Sequence, residues 1–305
     1  MEIPYIEIME NPLNFVFIDG SYFCFYRYYS IVRWWKNAHP DEPLSDPFAN
    51  PIFAEKFRKT FVEHVSGIPK NLNIQKEKTI MIVGKDCKRE NIWRNEFYDK
   101  YKATRPPFAG GNAFKMAYED NLFIEGGVKS IISHPKLEGD DSIALSVKYI
   151  LNKYHNPSAM LCMTTDYSQE TSACKQAYVS LQHQKVNIYI ITSDKDYLQL
   201  VEPRVQIFNL MFKNIAEQKS SVGDAKMDLF CKIVMGDTSD NIPSVLTKCG
   251  PKTALKCYHD KAYFDERMKK ENAYDKWTKN QLLVDFNYIP QHLIDEFMLN
   301  IDQYF

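Results

Sequence analysis

Five short stretches of this chain, residues 14–18, 79–83, 128–133, 186–192 and 205–210, are rich in β-branched and aromatic residues, the pattern of strands. Between them the hydrophobic period lengthens. From residue 139 to 154, Ile143, Val147, Ile150, Leu151 and Tyr154 fall on one face of a helix. Strands alternating with helices predict an α/β fold, a mostly parallel sheet flanked by helices. In such sheets ligands bind beyond the carboxyl ends of the strands. After about residue 218 the pattern is helical with no further strand, so the expected organisation is a sheet domain over 1–217 and a helical region over 218–305. Three segments break the periodicity. Residues 39–51 (HPDEPLSDPFANP) read as an exposed loop, 105–112 (RPPFAGGN) interrupt a basic helical stretch, and 156–184 insert a strand-like run, AMLCMTT, with a helix.

Nine carboxylates sit on five short motifs, most of them where a strand should end. They are Asp19 in FIDGSYFCFYR, Asp86 in IMIVGKD, Glu138, Asp140 and Asp141 in LEGDD, Asp194 and Asp196 in ITSDKD, and Asp237 and Asp240 in GDTSDN. Each motif alone has an ordinary explanation: helix capping for LEGDD, a solvated turn for the other two paired motifs. Taken together on one sheet rim, nine acids repel unless cations hold them. Hard divalent ions such as Mg²⁺ prefer carboxylate and water oxygens, so the set points to a two-metal site, with Mn²⁺ as a substitute, and two-metal sites act on phosphodiesters.

Composition leaves that reading standing. The 45% apolar and 14% aromatic content describes a globular chain, and no apolar run reaches membrane-spanning length. The opening MEIPYIEIMENP lacks the basic-then-apolar order of a signal peptide, and seven cysteines without a C-x-x-C pair suit a reduced, intracellular, soluble protein. The net charge of −1 hides a basic remainder, because removing the nine acids leaves +8. Cations concentrate at Lys85, Lys88, Arg89, Arg94, Lys100, Lys102, Arg105 and Lys115, with Tyr98 and Tyr101 among them. Such a stretch is either a solvated helix or a channel where bases stack and phosphates meet positive charge.

In order along the chain, FIDGSYFCFYR, YKATRPP, LEGDDSIAL, ITSDKDYLQLV, GDTSDNIPSV and CGPKTALK resemble the flap endonuclease / 5′→3′ exonuclease family. That family includes the 5′-nuclease domain of bacterial DNA polymerase I and the phage RNase H exonucleases, and NQLLVDFNYIP is similar to the phage branch. The likeness covers residues 14 to 290, nearly the whole chain. It implies a PIN-like nuclease core, a helical arch over about residues 88–120, and a helix-three-turn-helix that grips duplex DNA. It also implies that Asp19, Asp86, Glu138 and Asp140 surround one metal, while Asp141, Asp194, Asp196, Asp237 and Asp240 hold or orient the second. Lys102, then Arg105, with Arg94 a further candidate, would stabilise the transition state. Tyr101, Gly250, Lys252 and Thr253 would bind DNA, and K⁺ would sit at the helix-three-turn-helix. The implied reaction is hydrolysis at 5′ flaps or ends of branched or nicked duplex DNA, or of RNA primers in RNA–DNA hybrids. The implied setting is replication or repair, with a monomer that meets replication proteins and no membrane.

Departures from the family pattern carry their own expectations. The second motif has its acid displaced to Asp86. The long loop at 39–51, with Trp34 and Trp35, is either a DNA wedge or a structural anchor. Asp166 in MTTDYS mimics ITSD without the following Lys-Asp and belongs to the insertion. The final IDQYF is either a docking tail or a helix end. Two other readings remain: a catalytically silent DNA-binding protein, and a junction resolvase or RNA nuclease on the same sheet.

Overall fold

Strands form at all five stretches in the computed structural model, which describes residues 12–106, 108, 110–155, 185–218 and 221–305. They are β1 (Leu13–Asp19), β2 (Thr79–Gly84), β3 (Ser130–Ile132), β4 (Val186–Ile191) and β5 (Val205–Phe208). Every pairing is parallel and the spatial order is β3-β2-β1-β4-β5. The chain builds outward from β1 through β2 and β3, then returns to β1's other side with β4. That reversal puts the topological switch point between β1 and β4, where open sheets bind ligands.

Alternation along each strand divides the core between two faces. Phe15, Phe17, Ile188, Ile190, Val205 and Ile207 pack on one side against α6 (Gly139–His155), whose Ile143, Val147 and Ile150 are fully or almost fully buried. Val16, Ile18, Met81 and Val83 pack on the other, against α1 (Gly20–Ala38) and α2 (Pro51–Ser66). Phe53, Phe57, Phe61 and Val65, spaced by four, form the stripe that α2 buries. Single helical turns α3 (Ile68–Asn71) and α5 (Leu122–Glu125), and α4 (Gly111–Tyr118), complete that layer.

Beyond the sheet come α7 (Ala225–Met235), α8 (Pro251–His259), α9 (Lys261–Lys270), α10 (Tyr274–Val284) and α11 (Gln291–Met298). Val234, Val245, Leu246, Cys257, Met268 and Ala273 give this region a small core of its own. The chain then returns to the sheet. Phe286, Leu293, Phe297 and Ile301 belong to the core on the α6 face, and Phe305 packs against Phe15, Phe17 and Tyr149. IDQYF is therefore part of the fold and not a free tail.

The proline-rich segment is anchored: Trp35 is buried, donates through Nε1 to the Glu42 carbonyl at 2.8 Å, and stacks on His39. Pro51 opens α2 behind an Asn50 cap. The segment expected to be a helical arch is helical only in its second half, α4. Its first half carries 3₁₀ turns at Arg89–Asn91 and Trp93–Glu96 and is pinned down by Lys102 N–H on the Asp240 carbonyl at 2.9 Å. The inserted 156–184, including AMLCMTT and Asp166, lies outside the described residues. Cys24, Cys87, Cys231, Cys249 and Cys257 are free thiols. No helix among the described residues is long and apolar enough to cross a membrane.

Candidate active site

Close approach of three backbone segments assembles the site. A Cβ on Gly20 would stand 2.7 Å from the Gly84 carbonyl oxygen, and one on Gly84 would stand 2.8 Å from the Gly139 carbonyl oxygen. The ends of β1 and β2 and the start of α6 can thus touch, and each delivers a carboxylate. Asp19 caps α1, accepting from Tyr22 N–H at 3.0 Å and from the Thr192 hydroxyl at 2.9 Å. Asp86 accepts from Gly139 N–H at 2.7 Å and from the Ser21 hydroxyl. Asp140 accepts from Asp141 N–H at 2.7 Å. All three line one cleft of about 390 Å³, with Glu138, Asp194, Asp237, Lys102, Arg105 and Lys232.

The cleft has two electrostatic halves. Asp19, Asp86, Asp140 and Asp194 have no ion-pair partner among the described residues. Burial and then the Asp86 charge push the Asp19 carboxyl from its ordinary 3.8 up to about 7. Burial, with Asp141 and Glu138 beside it, raises Asp140 well above its ordinary range. The remaining acids are already neutralised. Glu138 is buried, yet Lys102 and Arg94 hold it below its usual value. Asp141 is fully buried, bidentate with Arg94 at 2.7 and 2.8 Å, and accepts Trp93 Nε1–H at 2.9 Å. Asp240 pairs with Arg105, and Lys232 bridges Asp196 and Asp237.

All nine predicted acids thus reach one region, Asp86 included despite its displaced motif. Three candidates, Arg94, Tyr101 and Asp141, take unexpected positions. Arg94 is 2% exposed and wholly engaged by Asp141, Glu138 and the Leu283 carbonyl, so it braces the site from behind. Tyr101 is buried and its hydroxyl donates to Glu138 at 3.0 Å, which leaves no ring face for a base. Asp141 has both oxygens occupied, so it orients its neighbours. Gly250, Lys252 and Thr253 lie apart, at the start of α8; Gly250 and Lys252 are exposed there. Gly250 is extended at φ −98°, and the left-handed turn residue in that loop is Lys248 at φ 51°. Sequence reasoning missed Ser21, Thr192, Trp93 and Lys232. Only Ser21, two residues after Asp19 in FIDGS, had a local signal.

The donor set fits hard divalent cations. It is all oxygen, and ligand oxygens of Glu138, Asp140 and Asp141 lie within 4.8 Å of one another. The open half offers carboxylates that have no ion-pair partner among the described residues. A pH signature follows. Because Asp19 titrates near 7 when folded and near 3.8 when unfolded, the native state holds its proton across that window and the unfolded state does not. Its contribution is complete below about pH 4 and is lost as pH rises through about 7. In EDTA, stability therefore falls between these pH values, and the fall shrinks in Asp19→Asn and in saturating Mg²⁺. Urea melts across the window check this; an unchanged slope in Asp19→Asn contradicts it.

No family model matches the chain. The chain is 26% identical to ribonuclease H of Enterobacteria phage T4 over 272 residues, covering 82% of this chain and 80% of that protein. It is 25% identical over 253 residues to the 5′-3′ exonuclease of Buchnera aphidicola subsp. Acyrthosiphon pisum, covering 81% and 70%. Its fold matches the T5 5′-exonuclease with bound zinc ions, with a TM-score of 0.59 at 16% identity over 95% of this chain and 99% of that one. The chain resembles the flap endonuclease / 5′→3′ exonuclease family in both sequence and fold. A second match is the bacteriophage T5 flap endonuclease complexed with DNA and metal ions, with a TM-score of 0.57 at 15% identity, covering 95% and 98%. The sequence likenesses cover about four-fifths of the chain and the fold likenesses 95% of it.

Proposed function

We propose that this protein is a metal-dependent, structure-specific 5′ nuclease that hydrolyses phosphodiesters at 5′ flaps and ends of branched or nicked duplex DNA. The observation that carries the reading is the divided cleft: Asp19, Asp86, Asp140 and Asp194, without ion pairs among the described residues, beside Lys102 and Arg105. The relatives named 5′-3′ exonuclease and ribonuclease H, and the T5 fold matches with metal ions and DNA, support it.

Asp19, Asp86, Glu138 and Asp140 would hold one divalent ion, and Asp194, Asp196, Asp237 and Asp240 a second, with Asp141 as orienter. Such ions supply Lewis-acid charge to the phosphodiester and acidify water near it. The chain's own residues do the rest. Their fixed carboxylates set where the phosphate stops, because Asp19 ends β1 and Asp86 follows the end of the adjacent β2 by two residues. Lys102 and Arg105 now direct their charge at Glu138 and Asp240. Once those acids are met by other cations, both side chains can face the non-bridging oxygens. In-line attack by water forms one P–O bond as the P–O3′ bond breaks, leaving a 5′-phosphate and a 3′-hydroxyl. The exposed start of α8, with Lys252, Thr253 and a K⁺ ion, would hold duplex phosphates remote from the cut. The name of the T4 relative favours a second substrate, the RNA strand of an RNA–DNA hybrid.

A 5′-labelled flap duplex in Mg²⁺ tests the reading. Short 5′ products that vanish in EDTA, and fall about a hundredfold or more in Lys102→Ala, are expected. Binding without cleavage in Mg²⁺ and Mn²⁺ would leave a silent DNA-binding protein instead.

A further inference from the structure

Lys232 is a cleft cation whose charge the carboxylate chemistry does not call for. It lies on α7, five residues before Asp237, and its ammonium sits 2.6 Å from Asp237 Oδ2 while also pairing with Asp196. The lysine side chain is 18% exposed and the two acids 14% and 19%, so the group is largely withdrawn from water. Asp194 lies within electrostatic reach of the same ammonium. Three acids that would grip the second divalent ion are therefore served by one internal cation. An ammonium and a divalent ion cannot both occupy the oxygens of one such pocket, because their own repulsion at contact distance is large.

We infer that Lys232 is a built-in competitor for the second divalent ion, holding Asp196 and Asp237 until that ion displaces it. This rests on the nuclease reading, which gives those acids to an ion. Of the first ion's four acids only Glu138 has ion-pair partners among the described residues, Lys102 and Arg94, while Asp19, Asp86 and Asp140 have none, so the first ion binds ahead of the second. Lysine suits displacement, since a point charge on a flexible stem can swing out of the pocket, where an arginine fork would stay bound bidentately. Because α7 belongs to the helical region and Asp196 to the turn after β4, the same contact fastens that region to the sheet while the ion is absent.

Substrate-free protein titrated with Mn²⁺, with free Mn²⁺ read by electron paramagnetic resonance, tests the inference. Wild type should bind in two steps. Lys232→Met should tighten the weaker step about tenfold or more and leave the stronger one unchanged. Unchanged or weaker second-step affinity in folded Lys232→Met overturns it. Should that variant not fold, wild type supplies the answer through the acylation rate of Lys232, followed by peptide mass spectrometry during the same titration. The rate should rise as the second step fills; a constant rate across that step overturns the inference. Absence of any bound Mn²⁺ overturns the nuclease reading as well, whereas two bound ions indifferent to Lys232 overturn this inference alone.

Discussion

Asp140→Ala should lower flap cleavage by about a thousandfold or more, roughly 4 kcal/mol of lost transition-state stabilisation, and should leave the fold and the affinity for DNA in Ca²⁺ intact. The separation of activity from stability comes from where the residue sits. Its carboxylate makes one local hydrogen bond, to the next residue's N–H, and no ion pair among the described residues. Burial and two neighbouring acids make its charge unwelcome in the metal-free protein. Truncation relieves that repulsion, so metal-free Asp140→Ala should melt at or above the wild-type temperature. Asp140→Asn, which keeps the acceptor for Asp141 N–H, should fold equally well and cleave equally poorly. Thermal melts in EDTA and single-turnover cleavage in Mg²⁺ decide the matter. Cleavage within tenfold of wild type would remove Asp140 from the chemistry, and a collapsed melt would make it structural.

Much of this site was legible in the sequence because backbone position dictates it. Short β-branched stretches can only be strands here, and a parallel sheet brings its carboxyl ends to one rim. Asp19 and Asp86 lie at or just past the ends of β1 and β2, while Asp140 and Asp194 follow β3 and β4. The displaced acid of IMIVGKD also reaches the rim, where Gly84 brings the β2 end against Gly139 and Asp86 accepts from the Gly139 N–H.

What was hidden lies in side-chain pairing over long separations, which leaves no periodic trace. Arg94 and Asp141 meet across 47 positions, and Arg94 and Leu283 across 189. A basic, tyrosine-bearing segment reads as a surface channel, yet Tyr101 and Arg94 turn inward because unpaired acids behind them need donors. The helical expectation for residues 88–120 failed in its first half for a related reason. There Ile92, Trp93 and Tyr101 are buried, and Lys102 takes a left-handed φ of 53° to place its N–H on Asp240. Tertiary contacts of that kind override helical propensity.

Arg94→Met should be the most destabilising single change at the site. The guanidinium is enclosed by Asp141, Glu138, the Leu283 carbonyl and the Trp93 ring at 4.6 Å, and it ties three elements together: the 3₁₀ turn, the start of α6 and the end of α10. Removing it leaves Asp141 buried with Trp93 as its remaining side-chain donor. Breaking a buried pair from one side costs about 3–5 kcal/mol. In a chain of this length that lowers Tm by roughly 5–8 °C. Replacing both partners separates bracing from chemistry. Arg94→Met with Asp141→Leu removes the stranded charge along with its partner, so much of the stability should return. Activity should not return, because Glu138 and Asp140 have then lost the strut that fixes their turn. Urea melts and flap cleavage on the single and double variants give both readings. A loss under about 1 kcal/mol in Arg94→Met would show that water reaches Asp141, and recovered cleavage in the double variant would show that the acids hold their geometry without the brace.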